Sequence, residues 1–235
     1  MEPKSPDEYL PSAEATRVMP SKSGVETEDE VRDRSEVKEK LELFVSTTGA
    51  FRPAKTTARL IEECGSASAV FGAPRHRIER VVGKSSRVGT ALRTARWLSL
   101  NAFETIAEQR PLLRSRKALL SYLAVAMAQD ELETVRILFT NPDLRLLKSE
   151  VVHIGSRFHT NFDERFILRR ALELGASGMI LVHNHPSGNP QPSTDDYRAT
   201  TRLSRYCQEF DVHLVDHIVV GIHGARSVIW GNDWE

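Results

Sequence analysis

The stretch LVHNHPSGNPQPSTDDY, residues 181–197, decides how this chain is read. An apolar run, Gly178–Val182, leads directly into His183 and His185. Such a run reads as a buried strand, and on a strand residues two apart point to the same side. Two imidazoles therefore converge on one ion. A loop rich in Pro, Gly, Ser and Asn follows, and then Ser193, Asp195 and Asp196 stand where a helix begins. A carboxylate brought back by the loop supplies a third ligand, and by position either aspartate could serve. Two histidines and one carboxylate leave a coordination position for water, the pattern of a catalytic rather than a structural metal site. A bare His-x-His is a weak signal. The strand before it, the loop, the serine and the aspartate at a helix start make the full string far more restrictive.

Outward from this stretch, the pattern alternates between periods. Ser115–Ala128 reads as an amphipathic helix with Leu119, Leu120, Leu123 and Met127 as its apolar stripe. Glu133–Thr140 alternates and is rich in β-branched and aromatic residues, which predicts a strand. Asn141-Pro142-Asp143 is a turn, and Leu144–Ile154 completes a hairpin. Gly155–Asn161 reads as a loop, and Phe162–Leu174 as a helix stopped by Gly175. Ser193 or Thr194 caps a helix reaching about Phe210, with carboxylates in its first turn as the helix dipole favours. Val212–Val220 and Ser227–Trp230 are the final strands. The order α-β-β-α-β-α-β-β gives an α+β fold, an α/β sandwich.

Upstream, residues 1–35 are rich in Pro, Ser, Glu and Asp and read as a disordered tail. Residues 36–110 carry helical periodicity (Val37, Leu41, Phe44, Val45; Ala58, Leu60, Ile61, Cys64) and few strand signals, which predicts a small all-α domain. It is locally basic, with Arg75, Arg77, Arg80, Lys84, Arg87, Arg93 and Arg96 close together. A glycine turn opening a helix, Gly83-Lys-Ser-Ser-Arg-Val-Gly89, is suited to a phosphate. A solvated basic face or a packing domain is the bland alternative. The boundary falls near Arg110–Arg116, and the second domain spans 114–235.

Composition sets outer limits. The chain has 235 residues, 40% hydrophobic and 27% charged, with a formal net charge of zero, so no global field argues for nucleic acid or membrane. Cys64 and Cys207 lie far apart and form no CxxC, which argues against a cysteine metal site or a disulfide framework. No apolar run approaches the length of a membrane span, and no N-terminal apolar leader is seen. A cytoplasmic protein is expected.

The string His183-x-His185-Pro186, then Pro192, Ser193 and Asp196, resembles the JAMM (MPN+) metalloprotease signature. With His183-Asn-His-Pro-Ser-Gly188 and Val215-Asp-His-Ile-Val-Val-Gly221 the chain is similar to the RadC family of bacterial JAB-domain proteins, from about Ala118 to the C-terminus. The resemblance implies a mixed, curved sheet between helices, the layout of JAB/MPN and cytidine-deaminase-like folds. It implies one zinc ion held by His183, His185 and Asp196. The general base falls on Glu133, with Glu131 as the fallback, and Ser193 matches the serine that meets a carbonyl oxygen as charge builds there. The substrate would be a peptide or isopeptide. Upstream, the resemblance is to a helix-hairpin-helix segment, in a loose form. One departure stands out. The family's His-Pro-Arg-Glu run before the histidine strand is here Asp163-Glu164-Arg165-Phe166, matching only at Arg165, which bears on the shape of the substrate groove.

Two functions compete on these grounds. One is a zinc-dependent amide or isopeptide hydrolase. The other is a DNA-associated accessory protein, in keeping with the family's association with DNA repair, whose basic helical domain binds DNA while the JAB domain is a non-catalytic platform. A metal-binding but inactive domain is a third state. A zinc deaminase is set aside for want of Pro-Cys-x-x-Cys. Asn184 should face away from the two histidines and brace the loop. His213 and His217 read as strand residues, with Asp216-His217 a satisfied core pair rather than a support for the metal. Apolar strand edges would suit a homodimer.

Overall fold

The computed structural model describes residues 28–155 and 162–231, with residues 28–34 described by backbone alone. Five helices come first: α1 (Glu28–Thr47), α2 (Pro53–Cys64), α3 (Ala67–Gly72), α4 (Arg75–Val82) and α5 (Arg87–Gln109). Pro53 opens α2 at a position where a helix needs no amide, and Ser66 and Ser86 cap α3 and α5 with their hydroxyls. Leu41, Val45, Leu60, Val70, Ile78, Val88 and Leu92 close their own core. Helix α1 already begins at Glu28, inside the stretch expected to be a tail. That stretch, Glu28-Asp-Glu-Val-Arg-Asp-Arg-Ser35, holds no Pro or Gly to break a helix that the apolar turns further on anchor in the bundle. Residues 1–27 of that expected tail, and the loop residues 156–161, lie outside the described residues.

A short 3-10 turn at Leu112–Arg114 leads into α6 (Arg116–Met127). This helix packs on α3 and α5 of the bundle and on the sheet. Leu119, Leu123 and Met127 are fully buried, each contributing about 1.5–3 kcal/mol of transfer free energy. The remaining elements are β1 (Thr134–Thr140), β2 (Leu146–Ile154), α7 (Glu164–Glu173), β3 (Gly178–Asn184), α8 (Thr194–Gln208), β4 (His213–Gly221) and β5 (Gly224–Ser227). The sheet order is β2-β1-β3-β4-β5, with β3 and β4 parallel and the other pairs antiparallel. This is the mixed α+β layout the element order implies.

Central strand β3 is buried on both faces, which is why its sequence is a continuous apolar run. Ile180 and Val182 face α6, while Met179 and Leu181 face the cluster built with α7 and α8. His183 continues the second set and so faces α8. The last strand is displaced from expectation. β5 occupies Gly224–Ser227, because Ile222 and His223 form a tight connection and Gly221 pairs directly with Gly224. Among the described residues, no helix is long and apolar enough to cross a membrane.

Candidate metal centre

Three elements meet at the end of β3. The strand delivers His183, and His185 follows one residue past its end. Helix α8 delivers Asp196 in its first turn. Strand β4 delivers His217 behind them. The register of β3 on β4 shifts by one between Met179 and Ile180, so that Leu181 pairs with His217 and His183 with Val219. Without that extra residue in β4, Asp216 and not His217 would share the face of His183, since a one-residue slip turns every side chain over.

Asp196 is held before any ion is considered. The backbone N–H of Ser193 donates to its Oδ2 at 2.6 Å, and the Ser193 hydroxyl donates to the same oxygen at 2.7 Å. The Asp196 amide donates back to Ser193 Oγ at 3.2 Å, which completes a capping box at the start of α8. Oδ2 is thus occupied, and Oδ1 faces His183 Nε2 at 3.2 Å. Burial pushes against ionisation, but His185, His183 and Ser193 together hold the carboxyl well below the ordinary carboxylate range.

The hydrogen bonds assign the protons. His185 Nδ1 lies 2.9 Å from the Asn189 carbonyl, an acceptor, so this nitrogen carries the proton and Nε2 keeps its lone pair. The Thr200 hydroxyl donates to the Asp196 carbonyl at 2.6 Å, so it can only accept from His217 Nδ1, also at 2.6 Å. His217 Nε2 then accepts from His183 Nδ1 at 2.8 Å. His183 Nε2 is left with a lone pair. It lies 3.0 Å from His185 Nε2, which in turn lies 3.6 Å from Asp196 Oδ2. Two nitrogen lone pairs and a carboxylate therefore converge with no proton of their own between them. A tetrahedral ion with bonds of about 2.0–2.1 Å sets its donors about 3.3 Å apart; the contacts here are 3.0 Å between the two imidazoles, 3.2 Å from His183 to Oδ1 and 3.6 Å from His185 to Oδ2.

The electrostatics agree. Burial drives His183 down to a pKa of about 4, so it stays neutral. His217 is likewise held neutral by burial, well below its ordinary value. Burial also pulls His185 down, but the Asp196 carboxylate and the Asn189 carbonyl, with the charge of Glu133, favour its protonated form and raise it overall. The cluster attracts positive charge at the point where the lone pairs meet. His183, Asp196 and His217 form a buried trio whose ligand atoms lie within 4.8 Å of one another. Both nitrogens of His217 are committed to Thr200 and His183, so the donor set that could hold an ion is His183, His185 and Asp196. His217 orients His183 from behind, as an outer partner of a ligating imidazole does.

Glu133 precedes β1. The β1–β3 pairing ends at Val135 with His183, two residues from Glu133 on one strand and two from His185 on the other. Glu133 is buried, and its charge is felt by His185. Asn184 faces the other side of the sheet. Its Oδ1 accepts from the Thr134 amide at 2.8 Å, and its Nδ2 lies 3.1 Å from each of the Asp130 and Leu132 carbonyls. Asp195 is exposed and paired with Arg198 at 3.1 Å, away from the cluster. Glu131 faces the bundle, 2.9 Å from His76. The Asp163 side chain caps α7, and Glu164 pairs with Arg202 of α8 at 2.5 Å.

The loop from His185 to Ser193 rests on the β4–β5 hairpin. The His185 amide donates to the Val220 carbonyl at 2.8 Å, and the His223 amide donates to the Gly188 carbonyl at 3.3 Å. A Cβ on Gly221 would stand 2.2 Å from the Gly188 carbonyl oxygen. Only glycine permits that approach, which ties the glycine closing Val215–Gly221 to the loop that follows His185.

Sequence reasoning ranked His217 as a satisfied core residue ahead of a support for the metal, and it missed Thr200. The signal for Thr200 was present: it lies four residues after Asp196 on the same helix face. Four of the seven basic residues of the bundle have acidic or backbone partners within the fold. Arg75 pairs with Glu79, Arg77 and Arg80 with Glu63, and Arg96 donates to the Ala126 carbonyl.

The family model for the RadC-like JAB domain matches residues 113–230, half of this chain. The chain belongs to that family.

Proposed function

We propose that this RadC-family chain is a zinc-dependent hydrolase of the JAMM type, cleaving an amide or isopeptide bond. The observation that carries the reading is the convergence of the His183 and His185 lone pairs on the Asp196 carboxylate, with each tautomer set by an outer partner. Two imidazoles and one carboxylate suit zinc, and three protein ligands leave a position for reaction. When bound, the ion supplies Lewis acidity toward a water and a carbonyl oxygen.

The chain's own residues do the rest. Glu133 takes the proton of the attacking water on a carboxylate oxygen and delivers it to the departing amine nitrogen. Its burial and the reach of its charge to His185 support this role over Glu131, which pairs with His76. Asp196 and the two imidazoles hold charge fixed where charge develops. Ser193 first holds Asp196. To meet a substrate oxygen its hydroxyl must turn from Asp196 Oδ2.

The test is Glu133→Gln beside wild type, with zinc content and amide or isopeptide hydrolysis measured on the same preparations. Zinc should stay at about one per chain while hydrolysis falls by at least the hundredfold usual for loss of a general base. Zinc-loaded Glu133→Gln with wild-type activity would refute the assignment of Glu133.

A further inference from the structure

Glu133 stands on a short connection. Helix α6 ends at Met127 and β1 begins at Thr134, so residues 128–133 set where the carboxylate lies. That connection is held from two sides. From the sheet, Asn184 binds the Asp130 and Leu132 carbonyls and the Thr134 amide. From the helical bundle, Arg77 Nη1 donates at 2.9 Å to Oε1 of the buried Gln129, and its Nη2 donates to the Glu63 carbonyl. Arg96 Nη2 donates at 2.8 Å to the Ala126 carbonyl, and its charge lies beside Asp130. Gly72, at the end of α3, abuts the same place. A Cβ there would stand 3.3 Å from the Ala124 carbonyl and 3.4 Å from Gln129 Cγ.

Arg77 and Arg96 belong to the basic cluster that suggested phosphate binding, yet both are turned toward this junction. Hydrogen bonds from guanidinium to buried acceptors are among the stronger ones, and their loss leaves those acceptors without a donor. The exposed His76–Glu131 pair adds little beside them.

We infer that Arg77 and Arg96 are positioning residues for Glu133: the helical bundle grips the last turn of α6 at Ala126 and the turn after it at Gln129, as Asn184 grips the connection from the other side. The bundle is then a working part of the hydrolytic unit and not an appended module. A general base must be held within fractions of an ångström, and a six-residue connection gripped on one side alone has freedom to drift. The inference rests on the reading of Glu133 as the base.

The experiment uses the full chain as wild type, Arg96→Ala, Arg96→Lys, Arg77→Ala and, as a surface control, Arg75→Ala. Amide hydrogen exchange is followed over residues 128–134. The visible spectrum of each chain loaded with cobalt(II) is recorded beside that of Glu133→Gln. Exchange at Thr134 should quicken by about tenfold or more in Arg96→Ala and Arg77→Ala, the scale expected for loss of a charged hydrogen bond. It should recover in part in Arg96→Lys and stay unchanged in Arg75→Ala. The cobalt spectrum of Arg96→Ala should move toward that of Glu133→Gln, with the metal retained at one per chain. Wild-type exchange in both alanine variants would overturn the inference, as would faster exchange with a wild-type spectrum. A Glu133→Gln spectrum identical to wild type would instead remove the premise that Glu133 stands at the metal. The exchange data would then still report the grip.

Discussion

Replacing Thr200 by valine should weaken zinc binding without touching a ligand. The buried Thr200 hydroxyl accepts the Nδ1 proton of His217 at 2.6 Å, and His217 accepts the Nδ1 proton of His183 at 2.8 Å. Valine keeps the branched shape and removes the acceptor. The buried His217 N–H then lacks a partner, at a cost of about 1–3 kcal/mol. The ring can escape by moving its proton to Nε2. That proton would confront His183, which must then carry its own proton on Nε2, where the ligand lone pair was. The metal-free chain relaxes into this second arrangement, and zinc must reverse it to bind, so the relaxation energy is lost from zinc affinity. Support of this kind is worth about 10–100-fold in metal affinity, or roughly 1.4–2.7 kcal/mol. The assay is zinc competition against a chromophoric chelator at fixed pH, with thermal melting of the metal-free chains as the check on folding. Thr200→Ser, which keeps the hydroxyl, should bind nearly as wild type. A folded Thr200→Val chain with wild-type zinc affinity would refute the relay.

Gly221→Ala should destabilise the chain by about 1–3 kcal/mol, because the new methyl meets the backbone of Gly188 and Pro190 and not a flexible side chain. Thermal denaturation measures it, and an unchanged Tm would contradict the tight seat of the loop on the hairpin. Asp216 is buried, and its pKa is raised to about 7, chiefly by burial. A carboxyl raised in the fold favours folding below its unfolded value near 3.8, and that contribution is lost as pH rises to about 7. Asp216→Asn should keep the bonds that Oδ1 accepts from Ser227 and the His217 amide while removing the charge. The variant should gain up to about 4 kcal/mol over wild type above pH 7 and nothing near pH 4, read from denaturant unfolding across pH. A pH-independent difference would contradict the assignment.

How much of this was legible beforehand depends on the range of the forces involved. The strand carrying His183 and His185, the cap at Ser193, Asp196 in the first turn and the outward turn of Asn184 all follow from local periodicity and capping chemistry. Those rules need only neighbours in the chain. The role of His217 did not follow, because it depends on a one-residue register shift between two strands distant in sequence. The pairing of the bundle arginines was hidden for a similar reason: Glu63 and Gln129 reach them only through tertiary structure. The short last strand was misplaced because a two-residue connection at Ile222-His223 carries no glycine within it to announce a turn.

The most direct measurement is zinc titration of the full chain beside His183→Ala and Asp196→Asn, with bound metal counted by elemental analysis after dialysis. The account predicts about one zinc per wild-type chain and essentially none in either variant. A wild-type chain that takes up no zinc, or variants that retain it, would contradict the claim that these lone pairs are a metal centre.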